Sequence, residues 1–355
     1  MRPAARVRHV ARRRAAIAPI PFALSMAPPF FIVGNDRSGT TMLRMILDRG
    51  PEAAIPPESM FLTDVTIPAD ALDGPAWQEL LERVWDHPKV RLWDLASPPP
   101  RLPAGLGRMD AARFVLAAPF EAYAGKHGKQ RWGDKTPHYV HHVDHLLAIW
   151  PDARFVVLVR DGRDVALSLR RMPFGPNNAW AAAQWWARGI RAGRTAQRRH
   201  PEQVLTVRYE DLVADPVTHV SAICAFLDLR YSPEMLELER ADRTKIVADQ
   251  ASWFPTLFDG INTGAVARWR REMSPREQSV FVSLAGQELA ELGYPVPTRP
   301  VAAPSPLRGN LYTRHNALMR NVNFIRLRVF QERGRELRLA LQRRRRDPIR
   351  RGGKS

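Results

Sequence analysis

Two hydrophobic patterns alternate along this chain. Phe30-Phe31-Ile32-Val33 is a continuous apolar run, as expected of a strand buried on both faces of a parallel sheet. A polar, glycine-bounded stretch follows, Gly34 to Thr41. Apolar residues then recur at helical spacing, which predicts a helix over 40–49. The same spacing predicts helices over 76–86, 110–124, 138–149 and 178–199, another from Asp164, and one over 216–229 opened by Asp215-Pro216. Ser274-Pro275 opens a last helix of the body, which Gly293 ends. Residues 131–137 read as a short extended piece ending at a turn, and 154–159 and 204–207 as strands. Pro98-Pro99-Pro100 marks a loop. Strands alternating with helices predict an α/β fold with three layers, α/β/α, around a mostly parallel sheet. In such sheets ligands sit beyond the carboxyl ends of the strands. The loops at 34–41, 133–137 and 160–163 all lie at strand ends and are expected to face one crevice.

Composition adds one correction. The chain has 355 residues, 45% of them hydrophobic, and a formal net charge of +18. The excess sits at the ends. Residues 1–26 carry six Arg and no acid, and residues 301–355 carry fourteen Arg and one Lys against three acids. The segment between has equal numbers of acids and bases, so the charge does not describe the globular body. The expected organisation is a basic, disordered extension over 1–28, a catalytic domain over 29–297, and a basic amphipathic helix with a polybasic tail over 298–355. The extension is also readable as a targeting peptide, or as sequence ahead of a translation start at Met26.

Cys224 is the single cysteine. Its apolar neighbours predict a core residue, and a reducing compartment fits. The apolar stretch over 15–33 is broken by Pro19, Pro21, Pro28 and Pro29, and no run reaches the roughly 18 apolar residues of a membrane span. A cytoplasmic protein is expected.

The candidate chemistry begins in the glycine loop. Gly34 and Gly39 have the spacing of a nucleotide P-loop, but Thr40 stands where an ATP-type loop carries lysine. Backbone N–H groups and a helix N-terminus there form an anion cradle; an ordinary strand-to-helix turn is the alternative. Arg160 ends a buried strand, where a cation without an anion is unfavourable. Ser168 lies two helical turns on, so the two could hold one phosphate. A salt-bridged Arg160 with a surface Ser168 is the duller alternative.

Together these residues resemble the sulfotransferases. Arg37-Ser38-Gly39-Thr40-Thr41 looks like that family's 5′-phosphosulfate loop, and Arg160 with Ser168 like its 3′-phosphate site. The resemblance is closest to the branch holding tyrosylprotein sulfotransferases and many bacterial relatives, and spans roughly 30–295. It implies a P-loop NTPase-like fold, 3′-phosphoadenylyl sulfate as donor and no metal. It also implies roles: Glu58 as the catalytic base, Lys135 and Arg37 beside the transferred group, and Tyr209, Asn262 and Arg268 on the nucleotide. The chain departs from the family in having one carboxylate, Pro57-Glu58, where two are usual. Arg170 or Arg171 only approximates a family arginine after the helix serine.

The runner-up bases are His138, His141 and His142, whose other reading is a solvated or helix-capping cluster. Trp180, Trp185, Trp186, Trp253 and Trp269 could shape an acceptor pocket or pack the core. The hydroxyl acceptor is left open among glycan, lipid-linked, small-molecule and peptide classes, and a homodimer is left open too. From Leu318, Val322, Ile325, Val329, Leu337 and Leu341 recur among arginines. That pattern predicts a basic amphipathic helix, meeting an anionic membrane surface or packing on the domain. Nucleic-acid binding ranks third because aromatics are sparse there. Two other functions stay in view: a P-loop kinase-like phosphotransferase, disfavoured by the missing lysine and the lack of an evident Mg²⁺ carboxylate, and a non-catalytic nucleotide-binding module.

Overall fold

The structure is a computed structural model and describes residues 27–65, 74–95, 99–299 and 301–346. The N-terminal basic extension, its Met26 alternative, Pro98 and the end of the polybasic tail lie outside the described residues.

The elements follow in the order β1 (Phe30–Gly34), α1 (Thr40–Arg49), β2 (Ala53–Ala54), α2 (Gly74–Trp85), α3 (Arg108–Lys126), β3 (Arg131–Lys135), α4 (Val143–Ile149), β4 (Arg154–Val159), α5 (Gly162–Leu169), α6 (Ala179–Arg199), β5 (Val204–Arg208), α7 (Tyr209–Ala214), α8 (Pro216–Leu227), α9 (Trp269–Glu272), α10 (Pro275–Glu291) and α11 (Pro306–Arg346). Short 3₁₀ helices fill the gaps, several of them between 233 and 253. The five strands form one sheet in the order β2-β3-β1-β4-β5, and every pairing is parallel.

The continuous apolar strands serve both faces because successive side chains point to opposite sides. Phe31, Val33, Phe155 and Val157 enter one core with α3, α4, α5, α6 and α10. Phe30, Ile32, Val156 and Leu158 enter the other with α1 and α8, where Cys224 is also buried. The three-layer α/β/α architecture follows directly. β1 lies centrally between β3 and β4, so the loops after these three strands share one edge of the sheet.

Two expected helices differ. The stretch over 138–149 is a 3₁₀ helix, Pro137–His141, and then α4. His142 is the joint, at φ −128° and ψ 20°, outside helical space. The C-terminal helix begins at Pro306, well before Leu318, with Pro306 in the first turn where proline is favoured. It docks on the start of α6, but its apolar stripe does not. Leu307, Leu311, Leu318 and Ile325 stay 58–72% exposed. No helix among the described residues is long and apolar enough to cross a membrane.

Candidate active site

Geometry in the glycine loop is dictated by close backbone packing. Gly34 has φ +142°, and a Cβ there would lie 2.4 Å from the Leu158 carbonyl oxygen on β4. Gly39 has φ +95°, and its Cβ would lie 2.5 Å from the Tyr209 ring. Only glycine fits either place. Gly39 caps α1 without a side-chain hydrogen bond, and the first turn holds no acid. The N–H groups of that turn have no intrahelical partner and point where an anion would sit. Ser38 is fully buried and its Oγ has no hydrogen-bond partner among the described residues. Thr40 and Thr41 are buried beside it. Asn35 holds the loop to α6 by donating from Nδ2 to the Trp186 carbonyl at 3.0 Å.

Arg37, Ser168, Arg160 and Tyr209 meet at this loop. Arg37 donates from Nε to Ser168 Oγ at 3.0 Å and from Nη2 to the Trp253 carbonyl at 2.7 Å. Its guanidinium lies over Phe254. Arg160 is buried and donates to the carbonyls of Arg37 at 3.0 Å and Ala265 at 2.7 Å. It also stacks on the Tyr209 ring at 4.6 Å, while its Nε has no hydrogen-bond partner among the described residues. Burial and the facing Arg160 charge lower the affinity of Arg37 for its proton. Two guanidiniums and a serine thus converge, with no carboxylate among the described residues bonded to either cation, an arrangement that suits a phosphate or sulfate. The neighbouring Asp161 and Arg163 are structural. They pair with each other at 2.7 Å, and Arg163 lies against Trp269.

On the other side of the loop lies an ion pair. Lys135, at the end of β3, is buried and donates to Glu58 Oε1. A polar knot positions the Glu58 segment. Ser59 N donates to Thr136 Oγ1 at 3.2 Å, and Ser59 Oγ and Leu62 N reach Tyr139 Oη at 2.9 and 3.0 Å. Burial would raise the Glu58 carboxyl, but Lys135, by charge and hydrogen bond, with Lys89 and Arg44, holds it below the usual carboxylate range.

Other predicted residues sit elsewhere. Arg268 makes a two-pronged ion pair with Glu272, and Asn262 is exposed and bonds within its own turn at Gly260 and Gly264. Their loop touches the site through the Ala265 carbonyl. Arg170 and Arg171 face Glu277 and Glu272. His138, His141 and His142 form a partly exposed ring cluster. Among the described residues no group of three or more His, Cys, Asp or Glu is arranged to hold a metal ion. Trp186 and Trp269 are buried in the core, whereas Trp180 and Trp185 line a cavity of ≈ 390 Å³ that Asp36 also borders.

Asp36 was missed in the sequence, where nothing sets it apart from its polar neighbours. Burial, with the Glu58 charge, pushes it up to about 6 against the pull of Lys135 and Arg37. Between the ordinary value of 3.8 and about 6 the folded chain keeps a proton that the unfolded chain has lost. Ionisation therefore works against the fold as pH rises through that window. Asp36→Asn is expected to gain about 1–3 kcal/mol of stability at pH 8 and almost none near pH 3.5, read by denaturant unfolding at both. Equal gains at the two pH values would refute the assignment.

A model described as the sulfotransferase family matches residues 28–233. The chain belongs to the sulfotransferase family. Among curated proteins it is similar to nodulation protein NoeE of Sinorhizobium fredii, 26% identical over 302 residues, covering 74% of this chain and 65% of that protein. It is also similar to protein-tyrosine sulfotransferase 1 of Danio rerio, 24% identical over 285 residues, 75% of this chain and 72% of that one. The chain thus spans about two thirds of the length of these relatives. Among solved structures, the sulfotransferase domain of the Synechococcus PCC 7002 olefin synthase superposes with TM-score 0.53 at 26% identity, covering 76% of this chain and 96% of that domain. The sulfotransferase domain from the curacin biosynthetic pathway, with TM-score 0.52 and 20% identity, shares the fold. The sulfotransferase match takes in β1 to β5 and the whole charge cluster of Arg37, Glu58, Lys135, Arg160 and Ser168.

Proposed function

We propose that the protein transfers a sulfuryl group from 3′-phosphoadenylyl sulfate to an acceptor hydroxyl. The observation that carries this is the convergence, at one sheet edge, of an uncapped helix N-terminus, the Arg37–Ser168–Arg160 group and the Lys135–Glu58 pair. The orphaned Ser38 hydroxyl and Arg160 Nε, and the space that a Cβ at Gly34 or Gly39 would fill, suit the phosphates of the donor. Arg160 and Ser168 would hold the 3′-phosphate, and residues 38–41 the 5′-phosphosulfate.

The step is an in-line displacement. The acceptor oxygen bonds to sulfur as the bond from sulfur to the bridging oxygen breaks, and the electron pair leaves on the 5′-phosphate. The acceptor proton passes to the Glu58 carboxylate. Lys135 keeps Glu58 ionised beforehand, as a base must be. Lys135 and Arg37 then face the charge that grows on the sulfuryl and phosphate oxygens. Preorganised cations do most of the work in such transfers, and here they do it without a metal.

Calorimetric titration with the desulfated donor, adenosine 3′,5′-bisphosphate, in chelator tests the reading. Saturable binding is expected, weakened about 10–100-fold in Arg160→Ala. No binding by the unaltered chain sinks it.

A further inference from the structure

The ≈ 390 Å³ cavity beside the loop has three walls. One is the 174–176 turn, with Phe174 set edge-on to Trp253. The second is the first three turns of α6. The third is α11, which begins more than seventy residues beyond the last family-matched position, 233. Asp36 borders the cavity from the loop and lies in the field of Glu58, Lys135 and Arg37. Through Asp36 the cavity abuts the glycine loop.

α11 is fastened there by specific contacts. Asn178, the N-cap of α6, donates to the Tyr312 carbonyl at 2.8 Å. Asn316 Oδ1 accepts from Asn177 N at 2.8 Å, and Asn323 Nδ2 donates to Asn177 Oδ1 at 2.8 Å. Tyr312 stacks on Trp180, and Gly309 lets that indole approach: a Cβ there would lie 3.0 Å from the ring. These bonds fix the face of α11 that carries Thr313, Asn316 and Arg320 against the cavity, while the leucine stripe points away.

The lining states a chemistry. Trp180 and Trp185 offer flat apolar surface to a ring. Gln184 and Asn316 offer amides for hydroxyls. Arg188 and Arg320 are exposed at the cavity, and neither has an ion-pair or hydrogen-bond partner among the described residues. Two unmatched guanidiniums facing one carboxylate leave the cavity net positive.

We propose that this cavity is the acceptor site, completed by α11, and that it takes a ring-bearing hydroxyl compound with an anionic substituent. The ring lies against Trp180 and Trp185, the anion meets Arg188 and Arg320, and the hydroxyl points to Asp36 and the Glu58 carboxylate. The proposal rests on the sulfuryl-transfer reading and deepens it.

The test uses the full chain, saturating donor and two matched pairs. One pair is phenolic, 4-hydroxyphenylacetate against its amide. The other is a sugar, methyl glucuronide against methyl glucoside. The anionic member of at least one pair is expected to have a KM about tenfold lower than its neutral partner. Arg320→Ala is expected to remove that difference, with bisphosphate affinity unchanged. Which pair responds tells a phenol from a sugar. Bisphosphate binding with no preference for the anion, no turnover of either pair, or a preference that survives in Arg320→Ala overturns the acceptor assignment alone. Absence of bisphosphate binding overturns the sulfuryl reading and this proposal with it.

Discussion

Glu58→Gln is expected to lower kcat by about 10²–10⁴-fold while leaving the affinity for adenosine 3′,5′-bisphosphate within twofold. Glutamine keeps the shape of the side chain and can still accept from Lys135, so the segment pinned by Ser59 and Tyr139 stays in place. What is lost is the group that takes the acceptor proton. Lys135→Ala is expected to lower kcat on a similar scale for two reasons. It removes a cation from the sulfuryl group, and it leaves the Glu58 carboxylate without its counter-charge. The double variant should therefore fall far short of the product of the two losses, because the residues act as one unit. Because Lys135 holds the Glu58 carboxyl below its usual range, the acid limb of kcat should fall below an ordinary glutamate titration. Unchanged turnover in Glu58→Gln would move the base to another group, and Asp36, pushed up to about 6 by burial and the Glu58 charge, would be the next to replace.

Gly39→Ala is expected to weaken bisphosphate binding by about 10²-fold. The new Cβ would stand 2.5 Å from the Tyr209 ring at a φ of +95°. Tyr209 would have to move, and Arg160 stacks on that ring. The change therefore reaches both the loop N–H groups and the cation opposite them. Gly128→Ala is the control. Gly128 also has positive φ, +66°, but nothing lies within 4 Å of its Cβ position. It should cost about 1–2 kcal/mol of stability and leave binding as it was. Equal binding by Gly39→Ala and the unaltered chain would show that the loop does not hold the nucleotide.

How far the sequence reveals all this depends on the kind of signal each part leaves. The buried strands were legible because burial on both faces forces unbroken apolar runs, as in Phe30 to Val33 and Phe155 to Val159. The loop was legible because two close backbone approaches admit only glycine, which fixes a spacing. Arg160 and Ser168 left a local trace, a cation ending a buried strand and a hydroxyl two helical turns on, whereas Glu58 and Lys135 were nameable only through resemblance, since they come from separate segments that no local pattern joins. β2 left no trace because two alanines have no period. The break at His142 escaped because apolar spacing continues across it. The cavity wall on α11 escaped for the opposite reason to the strands. Its docking face is Asn, Thr and Tyr, invisible to hydrophobic periodicity, and its leucines face outward. Hydrophobic pattern finds the core and passes over a docking face built of amides and hydroxyls.

The measurement that bears most directly on the central claim is label transfer. The full chain is incubated in chelator with 3′-phosphoadenylyl sulfate labelled in its sulfuryl group and a panel of hydroxyl acceptors. The account predicts metal-independent, acceptor-dependent movement of label into an organic sulfate ester, reduced about 10²-fold or more in Lys135→Ala. Label that stays on the donor with every acceptor, or that moves equally well in Lys135→Ala, would contradict it.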